Sequence, residues 1–386
     1  MDRRRFLQGS LALGCSAAAS PLVAPVAFAS TPGDRRLVVI LLRGAMDGLD
    51  VIRPVDSREW RAARPTLSED ASAGADLGGG FALHPALSDL APLWQAGEMA
   101  AVHAVSTPYR DKRSHFDGQD LLEAGIGDLE EGLRDGWLNR LVGQIPGARA
   151  DLAYAIGRER MLILDGAAPH ASWSPEVSLL LTPQGQRLLE FLCAGDPLFG
   201  LALEEALAVA ESLPGQEDVR GRADHLRLAD FTAERLRGEA RIASFSLAGW
   251  DTHARQDIGL KNALQRLSET VLALRDGLGP DWDQTAVACI TEFGRTFREN
   301  GTGGTDHGTG GAMLLFGGAI RGGRVYADWP GLGESQLYGG RDLLPTRDVR
   351  AHLGWMLAGL FGVSQTAIER QVFPGLELGP DPGVLA

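Results

Sequence analysis

Lysine is almost missing from this sequence: Lys112 and Lys261 are the only two among 37 cationic residues. Acidic residues outnumber the cations by 50 to 37, and the formal net charge is -13. This balance excludes a nonspecific nucleic-acid binder and a protein that binds anionic membranes through its charge. We interpret the excess of arginine over lysine as an effect of genome base composition rather than as a binding surface.

Long hydrophobic runs and cysteines are also scarce. The best apolar stretch beyond the first thirty residues, Leu353 to Val363, is far shorter than the roughly 20 residues that span a bilayer. The three cysteines are Cys15, Cys193 and Cys289. Cys289 lies in an apolar strand pattern, so we expect a buried free thiol there rather than a disulfide.

The first thirty residues are typical of an export signal. The segment Asp2 to Gln8 (DRRRFLQ) carries a twin-arginine pair, and a mildly apolar stretch follows to Phe28. Small residues and prolines make that stretch a poor membrane span, and Ala27 to Ala29 offers a small-x-small cleavage site. We therefore expect residues 1–29 to be a signal read by the twin-arginine translocase and residues 30–386 to be periplasmic or secreted. This route carries folded proteins, often with a cofactor in place, which is a first indirect indication of a metal.

Short aliphatic runs that end at glycine or polar clusters alternate with helical patterns along the rest of the chain. The predicted strands are Leu37–Leu42, Met99–Val105, Met161–Leu164, Ile242–Leu247, Ala286–Thr291 and Ala312–Phe316. The predicted helices are Pro85–Ala96, Phe116–Ala124, Gln184–Cys193, Val219–Arg237, Ile258–Leu278 and Asp348–Phe361. This alternation predicts an α/β fold of three layers, α/β/α, with a mostly parallel central sheet. Residues 126–238 are more helical than one crossover needs, which indicates a helical cap inserted into the domain.

Polar residues follow these predicted strands, at the sheet edge where open α/β folds bind ligands. The candidate ligands are Asp47, Asp251, His253, Glu292, Asp306 and His307. Carboxylates mixed with imidazoles suit Zn²⁺, Mn²⁺ or Fe rather than Ca²⁺ or Mg²⁺. The aspartates at 47, 251 and 306 also fit turns in which the side chain bonds its own backbone. Glu292 ends a buried strand and needs a partner. The joint placement of the six residues favours a site for one or two divalent ions.

A serine at the start of the predicted helix Phe116–Ala124 has two interpretations. Ser114 is either a nucleophile, at a helix N-terminus that favours an anionic ester, or the helix N-cap in a capping box with Asp117. The sequence leaves three roles open for His115, namely metal ligand, base or ordinary residue of the first helical turn.

Arginines and a lysine near this serine bear on the substrate. Arg110, Lys112 and Arg113 form a local basic cluster in an acidic protein, which fits either an anionic substrate or a solvated loop. Arg295 is a second candidate, as a clamp for an anion in the catalytic site.

Five motifs, in order after the twin-arginine segment, resemble an uncharacterised exported family, the domain of unknown function 1501. They are RGAMDGL, SHFDGQ, GWDTHARQ, TEFGRT and GTDHG. That family is similar to the superfamily of alkaline phosphatases, sulfatases and cofactor-independent phosphoglycerate mutases, whose sheet presents a two-metal site. The resemblance implies an alkaline phosphatase-like fold and metal ligands at Asp47, Asp251, His253, Glu292 and His307, with Asp306 as a ligand or as a support for His307.

The sequence departs from this superfamily at two points. The C/S-x-P-x-R pattern that sulfatases convert to formylglycine has no counterpart, which argues against formylglycine chemistry. Glu292 and Phe293 stand where phosphatases carry an Asp-His pair, so one imidazole is lost and occupancy of a second metal position is left open.

The predicted function is therefore that of an exported metal-dependent hydrolase of phosphate or sulfate esters. The ion would polarise the ester oxygen of a small anionic substrate while Ser114 or a hydroxide attacks. The alternative from another class is a non-catalytic metal- or glycan-binding protein on the same fold. A phosphomutase or transferase is disfavoured, because phosphorylated metabolites are scarce outside the cytoplasm.

Overall fold

The computed structural model describes residues 33–132, 134–175 and 223–386. The proposed signal at 1–29, the predicted helix Gln184–Cys193 and the start of the predicted helix Val219–Arg237 lie outside these residues. Cys289 is buried with a free thiol, as expected.

A nine-stranded sheet forms the centre of the described chain, in the order β11-β5-β10-β9-β1-β8-β6-β7 with β12 beside β5. Within this sheet of the described residues, the strands pair in parallel except where β10 meets β5 and β9. A small second sheet has the order β2-β4-β3. The strands are β1 (Arg36–Arg43), β2 (Ile52–Arg53), β3 (Asp76–Gly78), β4 (Phe81–Leu83), β5 (Met99–Ser106), β6 (Ala153–Ile156), β7 (Ala171–Trp173), β8 (Ile242–Ala248), β9 (Thr285–Ile290), β10 (Gly311–Phe316), β11 (Arg324–Tyr326) and β12 (Arg347–Asp348).

The long strands are apolar on both faces because each face packs against its own core. Leu37, Val39 and Leu41 of β1 belong to one buried cluster, and Val38 and Ile40 belong to another. Continuous aliphatic runs of this kind are typical of parallel strands covered on both sides.

Helices cover the two faces. The described helices are α1 (Gly48–Val51), α2 (Arg58–Ala63), α3 (Ala91–Ala96), α4 (His115–Ala124), α5 (Trp137–Val142), α6 (Asp224–Arg237), α7 (Gln256–Leu278), α8 (Val349–Phe361) and α9 (Gln365–Ala367). Apolar residues of α6 and α7 join the core on one face of the sheet, whereas those of α5 and α8 join the core on the other. The predicted three-layer α/β/α fold with a mostly parallel sheet is confirmed.

Two predicted elements differ in the structure. The predicted strand Met161–Leu164 is a 3-10 helix at Leu162–Leu164, because a four-residue apolar run signals burial without fixing the backbone. The predicted helix Pro85–Ala96 divides into a 3-10 turn at Pro85–Leu90 and α3.

The described part of residues 126–238 supplies α5 and α6 to the helical layers and β6 and β7 to the main sheet. These elements therefore pack within the three layers. The remaining part of the expected cap, residues 176–222, lies outside the described residues. Among the helices of the described ranges, none combines the length and the apolar character needed to cross a membrane.

Candidate metal centre

Five loops meet at one edge of the central sheet. Strands β9, β1 and β8 are adjacent and parallel, so their carboxyl ends lie side by side. Strand β10 runs the other way, so the glycine-rich loop before it, residues 300–310, reaches the same edge. The fifth loop joins the end of β5 to α4. The sheet thus collects residues from five distant parts of the sequence.

Three imidazoles surround one carboxylate oxygen at this edge. The Nε2 atoms of His253, His307 and His115 lie 3.1, 3.3 and 3.5 Å from Oδ1 of Asp251. The Nε2 atoms of His253 and His307 are only 2.9 Å apart. We call these four residues the histidine cluster. Its ligand atoms from His115, Asp251 and His307 all lie within 4.8 Å of one another.

The other ring nitrogen of each histidine is held by an acceptor. Nδ1 of His115 contacts Oε1 of Glu292 at 2.8 Å, and Nδ1 of His307 contacts the Arg113 carbonyl at 2.9 Å. Nδ1 of His253 lies 3.3 Å from Oδ1 of Asp306. Carboxylates and carbonyls only accept, so a proton on each Nδ1 satisfies these three contacts and turns the Nε2 lone pairs towards one another and towards Oδ1 of Asp251. Partners of this kind support metal-bound histidines in proteins.

This arrangement fits a divalent transition metal. Two facing lone pairs 2.9 Å apart repel each other unless a cation or a proton lies between them. The buried Nε2 of His115 has no hydrogen-bond partner among the described residues. Three imidazole nitrogens and one carboxylate oxygen form a donor set that Zn²⁺ or Fe²⁺ accepts.

Glu292 supports His115 rather than standing free. Its buried carboxylate also accepts hydrogen bonds from the Gly44 amide at 2.9 Å, from Gln119 at 3.2 Å and from the Thr291 hydroxyl at 2.9 Å. Burial opposes its ionisation, but the hydrogen bonds from His115, Gln119 and the Gly44 amide lower its pKa below the usual range. In return, the hydrogen bond to Glu292 raises the pKa of His115 against the effect of burial.

Asp251 stays ionised although it is partly buried. Burial opposes its charge, but the hydrogen bond and charge of Arg295, with the nearby histidines, lower its pKa to about 2. Burial lowers the pKa of His307, which keeps that ring neutral and able to bind a metal. A hydrogen bond from Asn300 lowers the pKa of the Asp306 carboxyl.

Phe293 forms the apolar wall of the centre. Its ring stacks on His115 at 5.2 Å between centroids and lies 5.1 Å from His307. A Cβ atom on Gly118 would come within 3.0 Å of this ring, so the glycine of the SHFDGQ motif leaves room for it. The position that departs from the phosphatase pattern thus packs against two of the three histidines.

The side chains of the histidine cluster differ in their exposure to solvent. Those of Asp251 and His253 are 48% and 44% exposed, whereas those of His115 and His307 are 25% and 17% exposed. Solvent therefore reaches the cluster most easily at Asp251 and His253.

Asp47, the first predicted ligand, lies in a separate buried network. Arg64 donates to both of its carboxylate oxygens, at 2.7 and 3.1 Å, and Gln256 donates to it at 2.7 Å. Gln256 also bonds Asp50, which pairs with Arg53 at 2.8 Å. We call these five residues the Asp47 network. The predicted role of Asp47 as a ligand stays a prediction.

Ser114 is the N-cap of α4, as one of its two interpretations expects. Its hydroxyl accepts from the Asp117 amide at 3.4 Å, a long hydrogen bond, and its own amide donates to the Tyr109 hydroxyl at 2.7 Å. The cap leaves the hydroxyl proton of Ser114 free to be donated, so the role of nucleophile stays a prediction.

The structure thus brings together five of the six predicted ligands, namely Asp251, His253, Glu292, Asp306 and His307. The sequence left open the role of His115, which the structure adds to the cluster. Its position after β5, at the edge that carries the other candidates, was the available signal. Nothing in the sequence indicates the contact between the Arg113 carbonyl and His307, because this contact depends on a left-handed backbone at Arg113 (φ 56°).

The fold and this edge define the class: a three-layer α/β protein with a candidate metal centre at the carboxyl ends of its strands. Comparison of the sequence with protein families finds the family described as "Protein of unknown function (DUF1501)" over residues 202–365. Three of the five motifs, GWDTHARQ, TEFGRT and GTDHG, lie within that range, and the resemblance to this family is confirmed there. No curated protein matches.

Several solved structures are similar to this chain. They include an alkaline phosphatase superfamily protein of Vibrio parahaemolyticus (TM-score 0.40, 14% identity, covering 89% of this chain and 71% of that one). The C-terminal periplasmic domain of EcEptC from Escherichia coli gives a TM-score of 0.43 at 8% identity, covering 91% and 89%. The PsFucS1 sulfatase from Pseudoalteromonas sp. gives 0.42 at 14% identity, covering 92% and 74%.

Proposed function

We propose that this chain is an exported metal-dependent hydrolase of phosphate or sulfate esters with one divalent ion, Zn²⁺, Mn²⁺ or Fe²⁺, at the histidine cluster. The observation that carries the proposal is the convergence of three Nε2 atoms on Oδ1 of Asp251, with every Nδ1 held by an acceptor. Lone pairs that face one another beside an ionised carboxylate destabilise a folded protein unless a cation binds between them.

The charges at the centre support a single ion. Asp251, Glu292 and Asp306 carry three negative charges, and Arg295 supplies one positive charge. A divalent ion makes the sum zero. Glu292 and Asp306 are committed to histidine Nδ1 atoms, and Asp47 is committed to Arg64. A second ion would have to break these contacts.

The bound ion would act as a Lewis acid that withdraws charge from the ester oxygen. The remaining chemistry falls to the chain. Ser114 adjoins the ligand His115, and the N-terminus of the ten-residue helix α4 favours the negative charge of the ester group. Lys112 and Arg113 are exposed in the same loop, and the Arg113 carbonyl contacts His307. Positive charge beside the centre suits an anionic substrate.

Ser114 is the proposed nucleophile. Its Oγ would bond to phosphorus or sulfur while the bond to the leaving oxygen breaks, and the hydroxyl proton would pass through solvent to the released alcohol. Water would then hydrolyse the serine ester and regenerate Ser114. Arg295, the other predicted catalytic residue, is buried, so in this proposal it acts through Asp251 instead of touching the substrate.

Metal content and hydrolysis test the proposal together. Tag-free protein isolated from the periplasm should carry close to one equivalent of transition metal and hydrolyse members of a panel of aryl and alkyl phosphates and sulfates. Chelation should abolish hydrolysis, and the removed metal should restore it. Protein without metal, and with no affinity for added Zn²⁺, Mn²⁺ or Fe²⁺, would refute the centre. Bound metal without any hydrolysis would favour the non-catalytic metal- or glycan-binding alternative.

Export is the second part of the proposal. The twin-arginine pair within residues 2–8 and the small-x-small site at 27–29 support recognition by the twin-arginine translocase. Replacing Arg3 and Arg4 together by lysine should leave the precursor in the cytoplasm. An unchanged periplasmic yield would contradict export by this route.

A further inference from the structure

Arg295 lies beneath the histidine cluster with its guanidinium fully buried. Its Nη2 contacts Oδ1 of Asp251 at 2.5 Å, the oxygen on which the three imidazoles converge. The other contacts of the side chain are with backbone carbonyls: Gly44 at 2.6 Å, Ala45 at 2.8 Å, Thr305 at 3.0 Å and Trp250 at 3.2 Å. All three nitrogens are therefore engaged inside the protein.

These contacts join three of the loops that form the centre. Gly44 and Ala45 follow β1, Trp250 and Asp251 follow β8, and Thr305 belongs to the glycine-rich loop two residues before His307. The loops touch directly as well, since a Cβ atom on Gly44 would lie 2.5 Å from the Asp251 amide nitrogen. One planar cation thus fixes the spacing between the ligand loops.

We infer that Arg295 is a positioning residue that sets the affinity and geometry of a divalent metal by orienting Oδ1 of Asp251 towards the three histidines. This inference rests on the proposed metal centre. Lysine in its place would keep the charge but could not span four carbonyls and a carboxylate from one planar group. Asp251 would then lose its fixed orientation while remaining in the sequence.

Metal binding by purified protein tests this role without any substrate. Zn²⁺ dissociation constants are measured by competition with a chromogenic chelator, and Co²⁺ absorption reports the coordination geometry. In Arg295→Lys, the dissociation constant should rise about 10- to 100-fold, the usual cost of losing a group that orients a metal ligand, and the Co²⁺ spectrum should change. In an Asp251→Ala background, the same replacement should add a smaller loss than it causes in the wild type, because the part of the effect of Arg295 that passes through the Asp251 carboxylate is already gone.

Arg140→Lys is the matched control. Arg140 also donates to two distant backbone carbonyls, those of Ala124 and Val372, and to the carboxylate of Asp135, away from the centre. This variant should lower the melting temperature of metal-free protein and leave the Zn²⁺ dissociation constant unchanged.

The outcomes separate this inference from the proposed function. Absence of metal binding by the wild type would overturn the metal centre itself. Wild-type binding with an equal affinity and Co²⁺ spectrum in Arg295→Lys would overturn only the positioning role. Failure of both Arg295→Lys and Arg295→Gln to fold without metal would show that the residue serves folding, which also overturns it.

Discussion

The histidine cluster and the Asp47 network lie near the same edge of the sheet and are built from similar residues, yet they differ in how their atoms are matched. In the Asp47 network each carboxylate meets donors from arginine or glutamine, and the side chains of Asp47 and Arg64 are at most 1% exposed. In the histidine cluster, by contrast, two imidazole nitrogens face each other beside a carboxylate, and the side chains of His253 and Asp251 are almost half exposed. Removing one partner of a matched buried pair leaves a buried charge without compensation, whereas a cation can bind between the facing nitrogens.

The largest loss of stability that we expect comes from removing Arg64 from the Asp47 network. Arg64→Met should lower the free energy of unfolding by about 3–5 kcal/mol, because it leaves the Asp47 carboxylate buried without its partner. Denaturant unfolding of metal-free protein measures this. The exposed pair Arg149–Asp151 provides the control, since Arg149→Met should cost less than about 1 kcal/mol.

The same network tests the predicted role of Asp47. Asp47→Asn should lower stability and leave the metal stoichiometry of the folded protein unchanged. Loss of metal with wild-type stability would instead make Asp47 a ligand, as the family resemblance implies, and the distinction between the two clusters would fail.

Removing a histidine from the histidine cluster should have the opposite effect: it should weaken metal binding more than it lowers stability. His253→Ala and His307→Ala should each weaken Zn²⁺ binding by more than the roughly 10- to 100-fold that loss of a supporting partner costs, because a ligand itself is removed. Metal-free stability should change little in His253→Ala, whose side chain is 44% exposed, and should fall somewhat more in His307→Ala, which loses its contacts with Phe293 and the Arg113 carbonyl. Melting curves with and without Zn²⁺ measure both quantities. His225→Ala, at a surface pair with Glu269, should keep the full stabilisation by metal; a similar loss there would point to nonspecific binding.

A further test uses a buried histidine that belongs neither to the histidine cluster nor to the Asp47 network. Burial lowers the pKa of His352 in α8 to about 3, and its Nδ1 has no partner within the described residues. Because the unfolded chain takes up a proton near pH 6.5 and the folded chain does not, stability is lost as pH falls below 6.5. At pH 5 this loss is about 2 kcal/mol. His352→Leu should therefore gain about that much relative to wild type at pH 5 compared with pH 7.5, as measured by urea unfolding; equal differences at both pH values would contradict the pKa.

The contrast between the clusters also shows what the sequence could predict. Strands β1, β9 and β10 are apolar on both faces and β8 is apolar on one, so the polar residues that flank these strands mark the edge of the sheet. This reasoning predicted that Asp251, Glu292 and His307 lie at that edge. It could not separate Asp47 from Glu292, because both are carboxylates after buried strands.

Their different surroundings depend on partners that are distant in sequence. Asp47 meets Arg64 of the loop after α2 and Gln256 of α7, whereas Glu292 meets His115 and Gln119 of α4. The short strands β6, β7 and β11 were missed for a related reason. They have only three or four residues each, many of them partly exposed, and become strands through pairing with a neighbour.

The smallest effect on stability is expected at Ser114, which is the N-cap of α4 and also the proposed nucleophile. Its capping hydrogen bond is long, 3.4 Å, so Ser114→Ala should cost only about 0.5 kcal/mol, the low end for an N-cap. Ser114→Asp should restore that stability, since its carboxylate accepts from the first-turn amides and suits the helix dipole. A nucleophile would respond differently, because the aspartate variant lacks the hydroxyl and puts a negative charge where the anionic ester must bind. We therefore expect Ser114→Asp to fold like wild type, retain its metal and lose turnover of any ester that the wild type hydrolyses. Retained turnover would leave Ser114 as a cap alone and make water the attacking group.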